Sequence, residues 1–210
     1  MKSHWRTIKN KLQHSGVIRL FLDAIGRLGI KIVPYYVVME GLFLKQSSID
    51  APELGEYQTG FLNSDDIKKI AAIPGRQESE EDLLNRLTAG QLCFGLKLNN
   101  DLSAFTWCNL QEFRVFGVQR AMAQDEAYLF DAYTLLPCRG KGIAPFMRYE
   151  LYRVLDKFGK RTLYSYSDVF NLPAIKFKQK LDARIVELNL YIDIFARYRF
   201  NLLIKKFNKS

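Results

Sequence analysis

Segments whose apolar residues follow a helical spacing alternate along the chain with segments whose apolar residues follow a strand-like pattern. Apolar residues recur at three- and four-residue spacing in some segments, and in alternating or short continuous runs in others. The helical period predicts helices at 16–29, 64–72, 80–89, 142–158 and 171–180. The strand pattern predicts strands at 30–39, 57–62, 91–98, 102–108, 127–136, 161–167 and 184–195. This order of elements predicts a mixed α/β or α+β sheet domain that follows an N-terminal extension.

Turn and break signals separate these elements. The run at 99–101, Asn-Asn-Asp, tolerates positive φ and predicts a hairpin between the third and fourth strands. Pro and Gly at 74–75 break the chain, and the segment 47–55 is expected to be a linker. We therefore divide the chain into a basic extension with an amphipathic helix and a strand, a sheet domain, and a basic tail, at 1–50, 51–195 and 196–210.

Positive charge is concentrated at the two ends of the chain. The net charge is +9, from 31 Lys and Arg against 22 Asp and Glu. Residues 1–31 carry +6 and residues 194–210 carry +5, so the body between them is nearly neutral at −2. Basic ends bind an anionic membrane or nucleic acid, or are simply solvated. Because aromatic residues are not interleaved with these charges as a stacking surface, nucleic acid is not an expected partner.

Cysteines, histidines and apolar runs narrow the chemistry and the compartment. The 3 cysteines are widely spaced and only 2 histidines are present, so we expect no disulfide framework and no metal site. The apolar segment 16–25 contains Arg19 and Asp23, unlike a secretory signal, and no run approaches the roughly 18 apolar residues of a membrane span. We expect a cytoplasmic protein, with peripheral attachment to the inner face of the membrane as the alternative.

A basic, glycine-spaced turn joins the strand at 127–136 to the helix at 142–158. It reads Cys-Arg-Gly-Lys-Gly-Ile-Ala, from Cys138 to Ala144. Free N–H groups and the helix dipole attract an anion at such a place, and Gly140 and Gly142 let the anion approach the backbone closely. The turn predicts a site for a phosphate-bearing cofactor; the alternative is an ordinary strand–helix turn.

This turn and a second motif resemble the GCN5-related N-acetyltransferases, or GNATs. The turn matches the family's [Gln/Arg]-x-x-Gly-x-[Gly/Ala] motif, with Arg139, Gly142 and Ala144 at the fixed positions. The segment from Asn171 to Leu181 is similar to the family's Asn-x-x-[Ala/Ser] helix. The resemblance covers 57–192, roughly two thirds of the chain. It implies a central mixed, mostly antiparallel sheet flanked by helices.

The resemblance also implies acetyl-CoA as co-substrate, with no metal. The turn would hold the CoA pyrophosphate, the end of the preceding strand would pair with the pantetheine arm, and an asparagine would bond that arm from the far side. The residues concerned are Leu135, Leu136, Arg139, Gly140, Lys141, Gly142, Ile143, Ala144 and Asn171.

Acyl transfer to an amine needs a base for the amine and an acid for the departing thiolate. Family members often use a carboxylate as the base. Asp131 is our first candidate for that role and Glu126 the second. Strand alternation places Asp131 on one face with Leu129, Tyr133 and Leu135. An acceptor satisfied by neighbouring backbone or by an arginine is an equally good interpretation of Asp131.

The acid position departs from the family pattern. Family members place a tyrosine seven residues after the motif asparagine, and this chain has Lys178 there. Lys178 would donate a proton only if burial lowered its pKa, and we expect a solvated helix lysine instead. Tyr166 and Tyr164 are the alternative donors, although strand tyrosines commonly serve packing.

The segment 109–124 is expected to be a loop, with apolar residues that pack at its tip or line a substrate pocket.

Three functions follow from these patterns. The first is an N-acetyltransferase that moves an acetyl group from acetyl-CoA to a primary amine by direct attack. The second is a membrane-associated acyltransferase acting on a lipid-linked or cell-wall amine. The third is a catalytically silent module that binds CoA. A homodimer is compatible with each of them, and the sequence carries no signature of the acceptor.

Overall fold

The computed structural model describes residues 15–41 and 56–207. Its helices are α1 (Ser15–Arg27), α2 (Ser64–Ala71), α3 (Glu80–Thr88), α4 (Ile143–Lys157) and α5 (Leu172–Lys180). Its strands are β1 (Ile30–Glu40), β2 (Tyr57–Phe61), β3 (Leu92–Leu98), β4 (Asp101–Asn109), β5 (Glu112–Val115), β6 (Val118–Ala121), β7 (Glu126–Thr134), β8 (Thr162–Asp168), β9 (Arg184–Ile194) and β10 (Tyr198–Lys206). The predicted linker at 47–55 lies outside the described residues, as do residues 1–14 of the predicted extension.

Eight strands form one large sheet in the order β10-β9-β1-β8-β7-β4-β3-β2. All neighbouring pairs are antiparallel except β7 and β8, which are parallel. The predicted turn at 99–101 is confirmed, since Asn99 and Asn100 both have positive φ and link β3 to β4. The mixed, mostly antiparallel sheet flanked by helices is therefore confirmed.

Different elements cover the two faces of this sheet. Helix α4 packs its apolar side on β3, β4 and β7, and α5 packs beside it on β1; we call this side the α4–α5 face. Helices α2 and α3 cover β3 and β4 on the opposite side, which we call the α2–α3 face. The small β5–β6 hairpin covers the rest of that side, over β7, β8, β1 and β9.

Strand β1, from the predicted extension, lies inside the sheet. It pairs with β8 from Tyr35–Asp168 to Glu40–Leu163, and with β9 from Ile30–Ile194 onward. Its apolar run Val-Val-Met at 37–39 is what a strand buried on both faces requires. The strand is therefore a structural part of the sheet domain.

Two features were not predicted. The segment 109–124, which we expected to be a loop, contains the β5–β6 hairpin, whose turn is made by Phe116 and Gly117 with φ of 46° and 78°. The predicted last strand is followed by a further one, β10, after a turn at Phe195 and Ala196. Both turns place non-glycine residues in the left-handed region, so the usual Gly or Asn turn signal is weak or missing.

The central position of β1 predicts that a small core deletion there is costly. We expect Val38→Ala to lower the free energy of unfolding by about 2 kcal/mol, because Val38 is only 1% exposed. The matched control is Val118→Ala on β6, where the side chain is exposed and the loss should stay below about 0.5 kcal/mol. Urea unfolding measures both, and equal losses would contradict the placement of β1.

Candidate active site

A gap opens in the sheet between β7 and β8. The two strands pair at Glu126–Thr162, Ala127–Leu163 and Tyr128–Tyr164, and no further pair joins them among the described residues. Beyond this point β7 remains paired with β4, and β8 remains paired with β1. The strands therefore diverge, and we call the wedge between them the splay.

A bulge in β7 lies at the start of the splay. Phe105 pairs with Tyr133 and Trp107 with Phe130, so β7 has one extra residue opposite β4. Asp131 takes up the distortion with a φ of 46°. Leu129 packs on the α4–α5 face, whereas Asp131 bonds to side chains on the α2–α3 face. The prediction that Asp131 shares a face with Leu129 is therefore wrong, because the bulge shifts the alternation of faces, whereas Tyr133 and Leu135 do pack on the face of Asp131.

The predicted cofactor turn lies at the open end of β7. Gly140 and Gly142 have φ of 79° and 76°, and no atom lies within 4 Å of the position that a Cβ would take at either residue. Helix α4 starts at Ile143 without a side-chain cap, and no acceptor among the described residues pairs with the N–H of Gly142 or Ala144. The turn is thus an exposed cradle of free donors that fits a pyrophosphate.

The basic side chains of the turn differ in direction. Arg139 lies back along β7: its Nε donates to the carbonyl of Thr134 at 2.9 Å, and its guanidinium lies over the ring of Tyr133. Lys141 is exposed. The turn therefore has one cation held against the end of β7 and one in solvent.

The strand end before the turn is only partly available for pairing. The N–H of Leu135 donates to Ser103 and its carbonyl accepts from Cys138, so the backbone of Leu135 is already paired. Because backbone groups of alternate residues point to opposite edges, those of the neighbouring Thr134 face the splay, where its carbonyl accepts from Arg139. Leu136, in the short 3-10 helix that follows, is 70% exposed.

Asn171 occupies the N-cap of α5. Its side-chain oxygen accepts from the N–H of Ala174 at 3.2 Å, and the residue is exposed. The cap explains locally why α5 begins here, with Pro173 in its first turn. Asn171 therefore has a structural role in addition to the cofactor contact that the resemblance implies.

Asp131 is held by two arginines on the α2–α3 face. Arg76 Nη2 lies 2.7 Å from Asp131 Oδ2, and Arg86 Nη1 lies 2.8 Å from the same oxygen. Glu78 pairs with both guanidinium groups, at 3.1 and 3.2 Å. The arginines lie over the rings of Phe105 and Trp107. We call Arg76, Glu78, Arg86 and Asp131 the Asp131 cluster.

The cluster gives Asp131 the arginine partners that one of its two interpretations expected, and these contacts also fix the carboxylate in place. The Asp131 side chain keeps 21% of its surface exposed, so its carboxylate is not closed off from a ligand. For Arg76, burial alone would lower the pKa, but the hydrogen bonds and the charge of Asp131 raise it. The cluster therefore holds a fixed carboxylate at the bulge.

The other predicted catalytic side chains lie on the same face. The ring of Tyr166 packs against Tyr35 and Phe116, and its pKa is raised by burial and then by the charges of Asp131 and Asp168. Tyr166 is thus a protonated phenol in the field of Asp131. Tyr164 is buried under the hairpin in the same core, as a packing residue is.

Glu126 lies at the closed end of the splay. Its carboxylate accepts from Arg120 of the hairpin and from the N–H of Ala123. Burial alone would raise its pKa, but these partners lower it. Asp131 and Tyr166 therefore lie on the same face of the sheet, with the charge of Asp131 acting on the phenol, whereas Glu126 is held in an ion pair at the closed end of the splay.

The expectation of a solvated Lys178 is wrong. Its side chain is 4% exposed, and Nζ donates to the carbonyl of Tyr166 at 2.7 Å. Burial, the largest effect, lowers the pKa of Lys178 to about 8. Nearby is Glu40, a fully buried carboxylate that sequence reasoning missed. The available signal was an acidic residue closing the apolar run of β1.

The described residues contain neither a cluster of metal-ligating side chains nor a helix suited to a membrane. No group of three or more His, Cys, Asp or Glu side chains in 15–41 and 56–207 is arranged to hold a metal ion. No helix in the same part of the chain is both long and apolar enough to cross a membrane.

Comparison with known proteins places the fold. No family model matches the sequence, and no match to a curated protein was found. Among solved structures, a Drosophila protein is similar with a TM-score of 0.56 at 14% identity, over 86% of this chain and 58% of that one. A protein from Novosphingobium aromaticivorans, assigned to the GNAT family of acetyltransferases, has a TM-score of 0.54 at 15% identity, over 86% and 69%.

A tandem GNAT protein from the clavulanic acid biosynthesis pathway is also similar, with a TM-score of 0.53 at 12% identity, over 82% of this chain and 52% of that one. The chain thus spans about half to two thirds of the length of these structures. It has the fold of the GCN5-related N-acetyltransferases. The resemblance in the sequence is confirmed at the level of the fold.

The Asp131 cluster predicts strong coupling between its members. In a double-mutant cycle of Arg76→Met and Asp131→Asn, we expect a coupling of about 2 kcal/mol, since Arg76 is only 7% exposed. The exposed pair Lys68–Asp65 is the matched control and should couple by less than about 0.5 kcal/mol. Chemical denaturation of the four proteins in each cycle gives both values; equal coupling would argue against a fixed carboxylate.

Proposed function

We propose that this protein is an N-acyltransferase that moves an acetyl group from acetyl-CoA to a primary amine by direct attack. The observation that carries the proposal is the glycine cradle at the start of α4, which opens onto the splay. A phosphate site at a helix start, adjoining a wedge with unpaired strand edges, suits a long ligand with a pyrophosphate and an amide-rich arm.

The donor half of the site would work through backbone groups. The N–H groups of Gly140 to Ala144 would bind the pyrophosphate, with Lys141 adding a charge-assisted contact. The pantetheine arm would run into the splay beside Thr134, with Leu136 and Asn171 at its flanks. This path would bring the thioester to the bulge at Asp131. When bound, acetyl-CoA supplies the activated acyl group, and the chain orients it.

The acceptor half would lie on the α2–α3 face. The charges of Asp131 and Asp168 both act on Tyr166 there, so these two carboxylates would be the groups available to hold an amine. Asp131, fixed by Arg76 and Arg86, would orient the amine and take its proton, directly or through water. Tyr166 would donate a hydrogen bond beside it. Glu126 remains the second candidate for the base.

Binding of the donor tests the proposal first. We expect acetyl-CoA to bind in calorimetry, and Gly142→Ala to weaken it about tenfold or more, because the new Cβ fills the cradle and strains a residue at φ 76°. Gly159→Ala is the matched control, since Gly159 has a φ of 73° in open space at the other end of α4. A folded wild-type protein that does not bind acetyl-CoA at millimolar concentration would refute the proposal.

Turnover in a screen of primary amines, read as released CoA thiol, separates the enzyme from a silent CoA-binding module. We expect Asp131→Asn to lower turnover about 100-fold or more with little change in acetyl-CoA affinity. Binding of acetyl-CoA without turnover of any amine would instead support the silent module.

A second candidate function is favoured by one surface. Apolar side chains are exposed on α1 and on the β9–β10 hairpin, among the described residues of those elements: Ile18, Leu20, Phe21, Leu28, Phe195, Tyr198, Phe200, Leu202, Leu203 and Ile204. The two groups are adjacent, since Phe195 lies against Gly29 at the end of α1. Exposed basic residues accompany them: Arg19, Arg27, Arg197, Arg199, Lys205 and Lys206. We call this the apolar–basic surface.

Exposed apolar side chains mixed with cations complement an anionic lipid surface. The second candidate is therefore the same transfer carried out at a membrane, on a lipid-linked or cell-wall amine, with this surface as the attachment site. Within the described structure Leu20 and Phe21 of α1 stay exposed, so the helix leaves part of its apolar side uncovered.

Vesicle binding tests the second candidate. We expect co-sedimentation with vesicles containing phosphatidylglycerol at low salt, and about a tenfold loss for Leu20→Ser combined with Phe21→Ser. The matched control, Tyr57→Ser combined with Phe61→Ser, removes two exposed aromatic residues from β2, at the far edge of the sheet. If the wild type does not bind these vesicles, or if the two double variants lose binding equally, the membrane-associated function is rejected and the first candidate function remains.

A further inference from the structure

A charged cluster is buried beneath the splay, on the α4–α5 face. Its members come from β1, α4, β8 and α5 and are Glu40, Arg148, Tyr152, Ser165 and Lys178. Glu40 is 0% exposed and Arg148 2%. Burying charge is costly unless the charges are paired and bonded, so a cluster of this kind needs a physical explanation. We call it the Glu40 cluster.

The carboxylate of Glu40 organises the cluster. It accepts hydrogen bonds from the hydroxyl groups of Tyr152 and Ser165. Arg148 Nε lies 3.4 Å from one of its oxygens, and Lys178 Nζ lies 3.8 Å from the other. Burial alone would raise the pKa of Glu40, but Arg148, Lys178 and the two hydroxyl groups lower it. Glu40 is therefore a charged carboxylate with two cations beside it.

The cluster contains one positive charge more than its carboxylate balances. Arg148 uses Nη1 to bond the hydroxyl of Thr106 at 2.9 Å, and Thr106 in turn donates to the carbonyl of Phe130 beside the bulge. The Nε of Arg148 is buried and has no hydrogen-bond partner among the described residues. Two cations against one anion in a buried place favour the binding of an additional negative charge.

The ammonium group of Lys178 lies at the splay. The N–H of Val169 donates to Pro34 of β1, and backbone groups of alternate strand residues point to opposite edges. The carbonyl of Tyr166 therefore points away from β1, towards β7, where the two strands no longer pair. Because Lys178 Nζ donates to that carbonyl, the surplus positive charge is directed into the splay.

We infer, on the basis of the proposed function, that Lys178 is the proton donor to the departing CoA thiolate and that Glu40 and Arg148 position it. In this step the amine nitrogen bonds to the acyl carbon, the carbon–sulfur bond breaks, and the sulfur takes a proton from the Lys178 ammonium. The proton lost by the attacking nitrogen passes to Asp131 or water, and Lys178 regains one from solvent. The products are the amide and free CoA thiol.

The surroundings of Lys178 suit this role. Burial lowers its pKa to about 8; Glu40 opposes that shift, and Arg148 adds to it. The groups that face Lys178 are Glu40 of β1, Arg148 of α4 and the Tyr166 carbonyl of β8. A donor with a pKa close to that of a thiol transfers its proton with little loss of driving force. The phenol of Tyr166, on the α2–α3 face, is the competing donor.

Kinetics of acetyl transfer against pH tests Lys178. We expect Lys178→Met to lower kcat about 100-fold or more with little change in the KM for acetyl-CoA, whereas Lys176→Met, on the exposed side of α5, leaves both unchanged. In the wild type kcat should fall as pH rises through about 8, since the ammonium form is needed. Lys178→Arg should remove that fall, because arginine does not titrate there.

Glu40→Gln separates a positioning role from a merely structural one. Removal of the carboxylate takes away the interaction that raises the pKa of Lys178, so the fall in kcat should move to lower pH. If Glu40 had only a structural role, Glu40→Gln would lower kcat without changing the pH at which kcat falls. The inference would be overturned if folded Lys178→Met kept the kcat and the pH dependence of the wild type. It would also be overturned if Tyr166→Phe lost kcat and Lys178→Met did not. If Lys178→Met does not fold, Lys178→Arg is the test, and the inference then requires that the fall in kcat near pH 8 disappears in that variant.

A binding measurement keeps this inference separable from the proposed function. At pH 8 we expect the wild type to bind CoA about tenfold more tightly than desulfo-CoA, through the ion pair of thiolate and ammonium, and Lys178→Met to lose the preference. If no amine is acetylated yet this preference is present, the transfer function fails and the thiolate site stands. Equal binding of CoA and desulfo-CoA by the wild type would overturn the thiolate site itself.

Discussion

The divergence of β7 from β8 after Tyr128 and Tyr164 is the constraint on which the rest of the structure depends. A parallel pair that stopped without compensation would leave two strand edges with unsatisfied backbone groups in the middle of a sheet. Here β4 satisfies one side of β7, β1 satisfies one side of β8, and Lys178 takes the carbonyl of Tyr166. What remains open is a wedge in which backbone groups of both strands can bond to water or to a bound ligand.

The two charged clusters lie on opposite sides of that wedge and complement one another. The Asp131 cluster balances two arginines with two carboxylates and presents a fixed acidic group towards the α2–α3 face. The Glu40 cluster has a surplus cation on the α4–α5 face. In the proposed transfer a proton leaves nitrogen and another reaches sulfur, so a carboxylate on one side and a cation on the other would each have a partner.

Much of the fold, and the glycine turn before α4, could be predicted because their signals lie in residues that are close together in the sequence. Gly140, Gly142 and the helix after them are a local signal, and so is the 99–101 turn. The missing parts are non-local. The bulge that reverses Asp131 exists only because β7 pairs with β4 out of register, and the burial of Lys178 depends on Glu40, which is 138 positions earlier in the numbering. The β5–β6 hairpin was missed because Phe116, and not Asn or Gly, opens its turn.

The place of β1 has a consequence for how the chain folds. Its two neighbours in the sheet, β8 and β9, come more than a hundred residues later in the chain. Closing loops of that length is entropically slow, and contacts far apart in sequence delay folding. Until β8 and β9 exist, the apolar run of β1 has no partner and can pair wrongly with other chains. Glu40 closes that strand, so its buried cluster cannot form before β1 has paired with β8, a strand more than a hundred residues away in the chain.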